Sequence, residues 1–202
     1  MSYSQKPRPG YIQRNLLACL ETALFMPNGP ERFSVSRAAM KRSFLIPFLV
    51  LPFSILTMIA AHPDPQLSQT SMYALAIMYG LRTVLYLGGF YALMYGMSRH
   101  LKKEESFTRM VTANNWLVLP VAIMMLPLSL SFMNGFHSWQ DIYPMMVFLT
   151  LYSYAYTAFM AAHVMRIPLE LAVFVSICSM AIHQSSLDLI KWIGAQGLQY
   201  FA

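Results

Sequence analysis

The chain has 202 residues, a formal net charge of +6, 57% hydrophobic residues and only 11% charged ones, against about 25% charged in soluble domains. Mean hydropathy is +0.47, and the apolar residues form runs long enough to cross a bilayer. The positive balance does not point to nucleic acid, because the basic residues flank apolar runs, as an anionic lipid surface requires.

The chain opens polar and Pro-rich, MSYSQKPRPG, with no cleavable signal, and its first long apolar run begins only near Phe44. Residues 1–43 read as a cytoplasmic segment. Within it, 11–26 carries Ile12, Leu16, Leu20 and Leu24 at helical spacing, with Arg14, Glu21 and Thr22 elsewhere around the wheel. It is too short to span, so it is expected to lie as an amphipathic helix on the inner leaflet or on the cytoplasmic ends of the bundle, ended by PNGP at 27–30. Arg37, Lys41 and Arg42 then lead into the first span and are expected at the headgroups.

Five spans follow, at about 44–61, 71–97, 115–133, 144–165 and 168–187, within a membrane domain of 44–193 and before an exoplasmic tail at 194–202. The fold class is therefore an all-α integral membrane bundle of five transmembrane helices with an N-terminal interfacial helix. Loop charge sets the orientation. Lys and Arg gather before the first span, in SRHLKKEESFTRM and at Arg166, while HPDPQLSQTS and NGFHSWQDIY have none. By the positive-inside rule the N-terminus is cytoplasmic and the C-terminus outside, as in a bacterial inner membrane. Lys102 and Lys103 join the candidate anionic-lipid contacts. The loop 101–106 is expected to extend the second helix through Lys–Glu pairing. Asn114 and Asn115, before Trp116, are expected to cap the third.

Inside the spans, Pro47 and Pro52 mark the first and Pro120 and Pro127 the third. Each proline frees a carbonyl and bends its helix. Gly88, Ala92 and Gly96 form a small-residue stripe, expected to pack within the chain, with a homo-oligomer contact as the alternative. The sharpest feature is Arg82 in YGLRTVLY. A mid-membrane arginine costs about 2.5–3.5 kcal/mol on insertion scales, so it should face the bundle or a wet cavity. Tyr79 and Tyr86 share its helix face, and the fifth span reaches similar depth near Ser179 to His183. With no carboxylate at matching depth, Arg82, Tyr79, Tyr86 and His183 form a candidate anion site or a polar clasp between helices.

No HExxH, GxSxG, Walker loop or paired carboxylates occur, and no two histidines share a helix at metal-ligand spacing. Cys19 and Cys178 stand far apart without a CxxC, which excludes a disulfide framework and a metal site. The 17 methionines read as core filling. The expectation is a protein without catalysis, cofactor or metal.

The layout resembles the YIP family (Ypt-interacting proteins), bacterial members above all. IQRNLLACLETALFMPNGPERFSVSRAAMKRSFLIPFLVLP matches the family's amphipathic segment, proline and basic lead-in to the first of five spans. The resemblance implies membrane organisation or trafficking and, in eukaryotic members, partnership with prenylated small GTPases. It carries over no functional residues. The function expected is a non-enzymatic scaffold or partner subunit, bound to anionic lipid and to a membrane-protein partner or a second copy. The alternative is a small transporter, channel or lipid-binding protein with its anion site at Arg82.

Overall fold

A computed structural model describes residues 10–61 and 71–201, with side chains described over 10–56 and 71–194. Lys6, Arg8 and nearly all of the loop after the first span, which lacks Lys and Arg, lie outside the described residues. Among the described residues eight helices follow in order: α1 (Tyr11–Ala23), α2 (Asn28–Arg32), α3 (Arg37–Ser43), α4 (Leu45–Ala61), α5 (Met72–His100), α6 (Glu104–Met133), α7 (Trp139–Met165) and α8 (Leu169–Phe201). Five stretches of the described residues are long and apolar enough to cross a membrane: Arg37–Leu56, Met72–His100, Glu104–Met133, Trp139–Met165 and Leu169–Gly194. The protein is an all-α, multi-pass bundle.

Several boundaries differ from the sequence expectation, each for a local reason. The PNGP segment does not end α1. That helix stops at Ala23, where Phe25 turns left-handed (φ 56°) and Met26 N–H bonds back to Glu21 O at 2.8 Å. Loop 101–106 does not extend α5 through Lys–Glu pairing. Lys102 turns left-handed (φ 55°), Lys103 N–H bonds Ser98 O at 2.8 Å, and Glu104 and Glu105 instead begin α6. There the two acids complement the positive helix end. Both turns are Schellman closures built on non-glycine residues, which normally disfavour that conformation.

α6 runs straight through Asn114 and Asn115, which cap nothing. α7 begins at Trp139, ahead of Pro144, under a capping box in which Ser138 Oγ accepts from Asp141 N–H and Asp141 accepts from Ser138 N–H at 2.9 Å. α8 continues past 187 and through the expected tail to Phe201. Pro47 falls in the first turn of α4, leaving Pro52 as that helix's interior proline.

The buried core sits at the end of the bundle that carries the basic residues, called here the basic end. Phe90 and Met94 of α5, Met110 and Ala113 of α6, Met160, Ala161 and Met165 of α7 and Ala172 of α8 interlock there, with Ala18 and Cys19 of α1 and Phe33 closing the same cluster. Large side chains such as Phe48, Leu49, Ile123 and Phe174 point outward, as a bundle solvated by lipid permits.

Candidate functional site

Arg82 is buried, 4% exposed, where α5 meets α8. One guanidinium nitrogen lies 2.9 Å from Nε2 and 3.3 Å from Nδ1 of His183. It therefore approaches the edge of the imidazole between the two nitrogens and donates to the one that lacks a proton in a neutral ring. Tyr86, one turn along from Arg82, sets its ring edge-on to His183 at 5.0 Å, and its hydroxyl pairs with Ser179 at 3.1 Å. Tyr79 is buried on the same helix. The structure thus gathers Arg82, Tyr79, Tyr86 and His183 into one interhelical cluster.

α8 supplies a polar stripe to that cluster. Ser176, Ser179, His183 and Ser186 recur at spacings of three and four, so they share one face. All three serines are buried. Ser176 Oγ donates to Tyr154 O at 2.8 Å, and Ser186 Oγ donates to His183 O at 2.8 Å.

Sequence reasoning missed two members of the neighbourhood. One is Asp188, exposed on α8 just over one turn beyond His183, within electrostatic range of Arg82 but not level with it; its carboxylate accepts from Gln184 at 3.2 Å. Tyr154 of α7 also lies within electrostatic range of Arg82. No spacing rule linked it to Arg82 beforehand.

A second buried network, unforeseen in the sequence, sits near the basic end. Asn115 is fully buried; its Nδ2 donates to Ser43 at 2.9 Å and its Oδ1 accepts from Tyr91 at 2.5 Å. Asn114 donates to the Tyr91 hydroxyl at 3.1 Å, and Ser43 donates to Met40 O at 2.7 Å. Four side chains from α3, α5 and α6 are joined there, so the two asparagines that seemed to cap a helix fasten three helices instead.

Of the candidate lipid contacts, Arg37, Lys41, Arg42 and Lys102 are exposed. Lys103 is not available in the same way. Its ammonium donates to Met165 O and Arg166 O, both at 2.9 Å. Arg166 is left-handed (φ 50°), and Lys103 caps the carbonyls at that helix end, where a cation is favoured.

The Gly88, Ala92, Gly96 stripe is exposed along its length, and a Cβ on Gly88 or Gly96 would meet nothing within 4 Å. The expected packing within the chain is corrected. The close approach falls at the neighbouring Gly89, where a Cβ would stand 3.0 Å from Ile182 of α8.

Outside the spans, burial pushes the Cys19 thiol up to about 12. Arg32, hydrogen-bonded and ion-paired to Glu21, is held above its ordinary range by that bond.

Fold and polar seams together define the class: an integral membrane protein of five spanning helices, fastened across its interior by side-chain hydrogen bonds. Comparisons with protein-family models, with curated proteins and with solved structures each returned no match.

Proposed function

We propose that this chain is a non-enzymatic scaffold or partner subunit of a bacterial inner membrane, with its basic end in the cytoplasm. One observation carries the reading. Three sets of polar side chains inside the bundle join one helix to another, Arg82 on His183, Tyr86 on Ser179 and Asn115 on Ser43 and Tyr91. Such pairs fix helix positions at depth, where each unsatisfied group would be costly. In this reading Arg82 is a clasp that holds α5 to α8, rather than the seat of a moving anion.

The resulting rigid bundle presents a basic end on which Arg37, Lys41, Arg42 and Lys102 stand exposed. These suit anionic headgroups by the positive-inside rule. A partner role in membrane organisation also agrees with the resemblance to the YIP family.

Purification in mild detergent, followed by native mass spectrometry, tests the reading. It should recover a defined oligomer or a stoichiometric membrane-protein partner. A lone monomer would overturn the scaffold role.

A further inference from the structure

Building on that scaffold reading, we infer that α1 is sunk into the anionic phospholipid leaflet at the basic end, where it acts as a one-sided wedge favouring a bilayer convex on that side. Its faces are the first reason. The side of α1 turned to the bundle is small or polar: Asn15, Ala18, Cys19, Thr22 and Ala23 are buried. The large residues face away, with Ile12 63%, Leu16 46%, Leu20 57% and Leu24 59% exposed. A helix packed on a bundle in water buries its leucines. A helix with small residues inward and leucines outward is solvated by acyl chains.

Its attachments are the second reason, because they set its depth. At one end the Tyr11 hydroxyl donates to Ala39 O at 3.1 Å, and the Tyr11 ring stands edge-on to Trp116 at 5.9 Å. At a rise of about 1.5 Å per residue, Trp116 is roughly 26 Å along α6 from Met133 at the opposite end of the bundle. At the other end the Tyr152 hydroxyl donates to Ala23 O, and Phe25 stands edge-on to Tyr152 at 5.7 Å and Phe159 at 5.5 Å. Tyr152 is roughly 20 Å along α7 from Trp139 by the same rise. The hydrocarbon core is about 30 Å thick. Both ends of α1 are therefore held among acyl chains or at their junction with the headgroups.

Charge is the third reason. Lys41 and Arg42 are exposed within one turn of Ala39, and so stand at the level of Tyr11. These two cations stand beside the Tyr11 end of the sunken helix where phosphates lie, which selects anionic phospholipid over a zwitterionic one.

The wedge follows from area. α1 is about 20 Å long and about 10 Å across, so it takes up on the order of 200 Å² of a single leaflet. Among the described residues, the opposite end carries no helix laid alongside the bundle as α1 is, α6 and α7 being joined there by the short stretch 134–138. One leaflet is displaced more than the other, and the bilayer relaxes by curving away.

The test uses Leu20→Cys labelled with a bimane fluorophore in a Cys178→Ala background, with Cys19 left in place. The protein is reconstituted in phosphatidylcholine–phosphatidylglycerol vesicles carrying brominated acyl chains. Bromolipid should quench the label, and aqueous iodide should not. Quenching by iodide, or protection from both by a second copy or another chain, would overturn the placement; neither readout needs the partner that the scaffold reading requires.

Tethers pulled from giant vesicles with the basic end outward should be enriched in the protein by about twofold, and Leu16→Ser/Leu20→Ser should abolish the enrichment. Equal density on tether and vesicle for the unmodified protein would overturn the wedge. The serine variant counts as folded if its Cys19 still resists alkylation.

Discussion

His183→Leu is the sharpest perturbation of the intramembrane clasp. It leaves the Arg82 guanidinium in place, 4% exposed, and removes the ring that accepts from it at 2.9 Å. It also removes the imidazole against which Tyr86 sets its edge. Hydrogen bonds to charged groups contribute about 1.5–3 kcal/mol in water-soluble proteins. Interhelical polar pairs in a bilayer average about 0.6 and reach about 1.7 kcal/mol. A buried, charge-assisted pair belongs in the upper part of that membrane range, so the coupling between Arg82 and His183 should be about 1–1.5 kcal/mol. Arg82→Leu should cost less than His183→Leu, because it removes the charge and its desolvation together with the bond. The assay is reversible unfolding in bicelles of the parent, the two single variants and the double variant. A coupling below about 0.3 kcal/mol, within the scatter of additive sites, would refute the clasp.

Three further outcomes follow from local geometry. Gly89→Val should lower thermal stability in detergent by about 1–3 kcal/mol, since its Cβ meets Ile182 at 3.0 Å, while Gly88→Val and Gly96→Val should stay near neutral. Lys103→Met should cost about 1 kcal/mol by uncapping Met165 and Arg166, and Lys102→Met, exposed and outside that cap, far less; the same melting assay separates them. The Cys19 thiol, pushed up to about 12 by burial, should resist iodoacetamide at pH 8 until the protein unfolds. Because its folded value is raised, the native state holds that proton more tightly. The associated stability is fully present below the ordinary value of 9.0 and is lost as pH rises through about 12, which pH-dependent unfolding between 8 and 12 would show.

The spans were legible because lipid demands long apolar runs, and no other element among the described residues imitates one. Arg82 and His183 could be brought together by counting rise along antiparallel helices, since both lie far from helix ends. Helix starts were harder to read. Asn114 and Asn115 have the chemistry of a cap, yet Asn115 is fully buried and bonded to Ser43 and Tyr91. Only the packing of three helices distinguishes the two uses. The inward face of α1 was equally hidden. Its leucines carry the periodic signal, but in a lipid-solvated bundle they face outward while Ala18, Cys19 and Ala23 make the contact. The expected end of the fifth span at 187 falls inside α8, which runs on to Phe201 and so carries Asp188 on the same helix as His183.

Ser179 gives the most direct test of the claim that the polar pairs between α5 and α8 are closed on one another rather than lining a route for solutes. It is 1% exposed, pairs with the Tyr86 hydroxyl at 3.1 Å, and cysteine nearly matches its size. Ser179→Cys, in a Cys178→Ala background, should remain unmodified by a membrane-impermeant methanethiosulfonate applied to either face of sealed vesicles. Modification from one face would reveal water reaching the clasp, and would contradict the scaffold reading in favour of a solute pathway at Arg82.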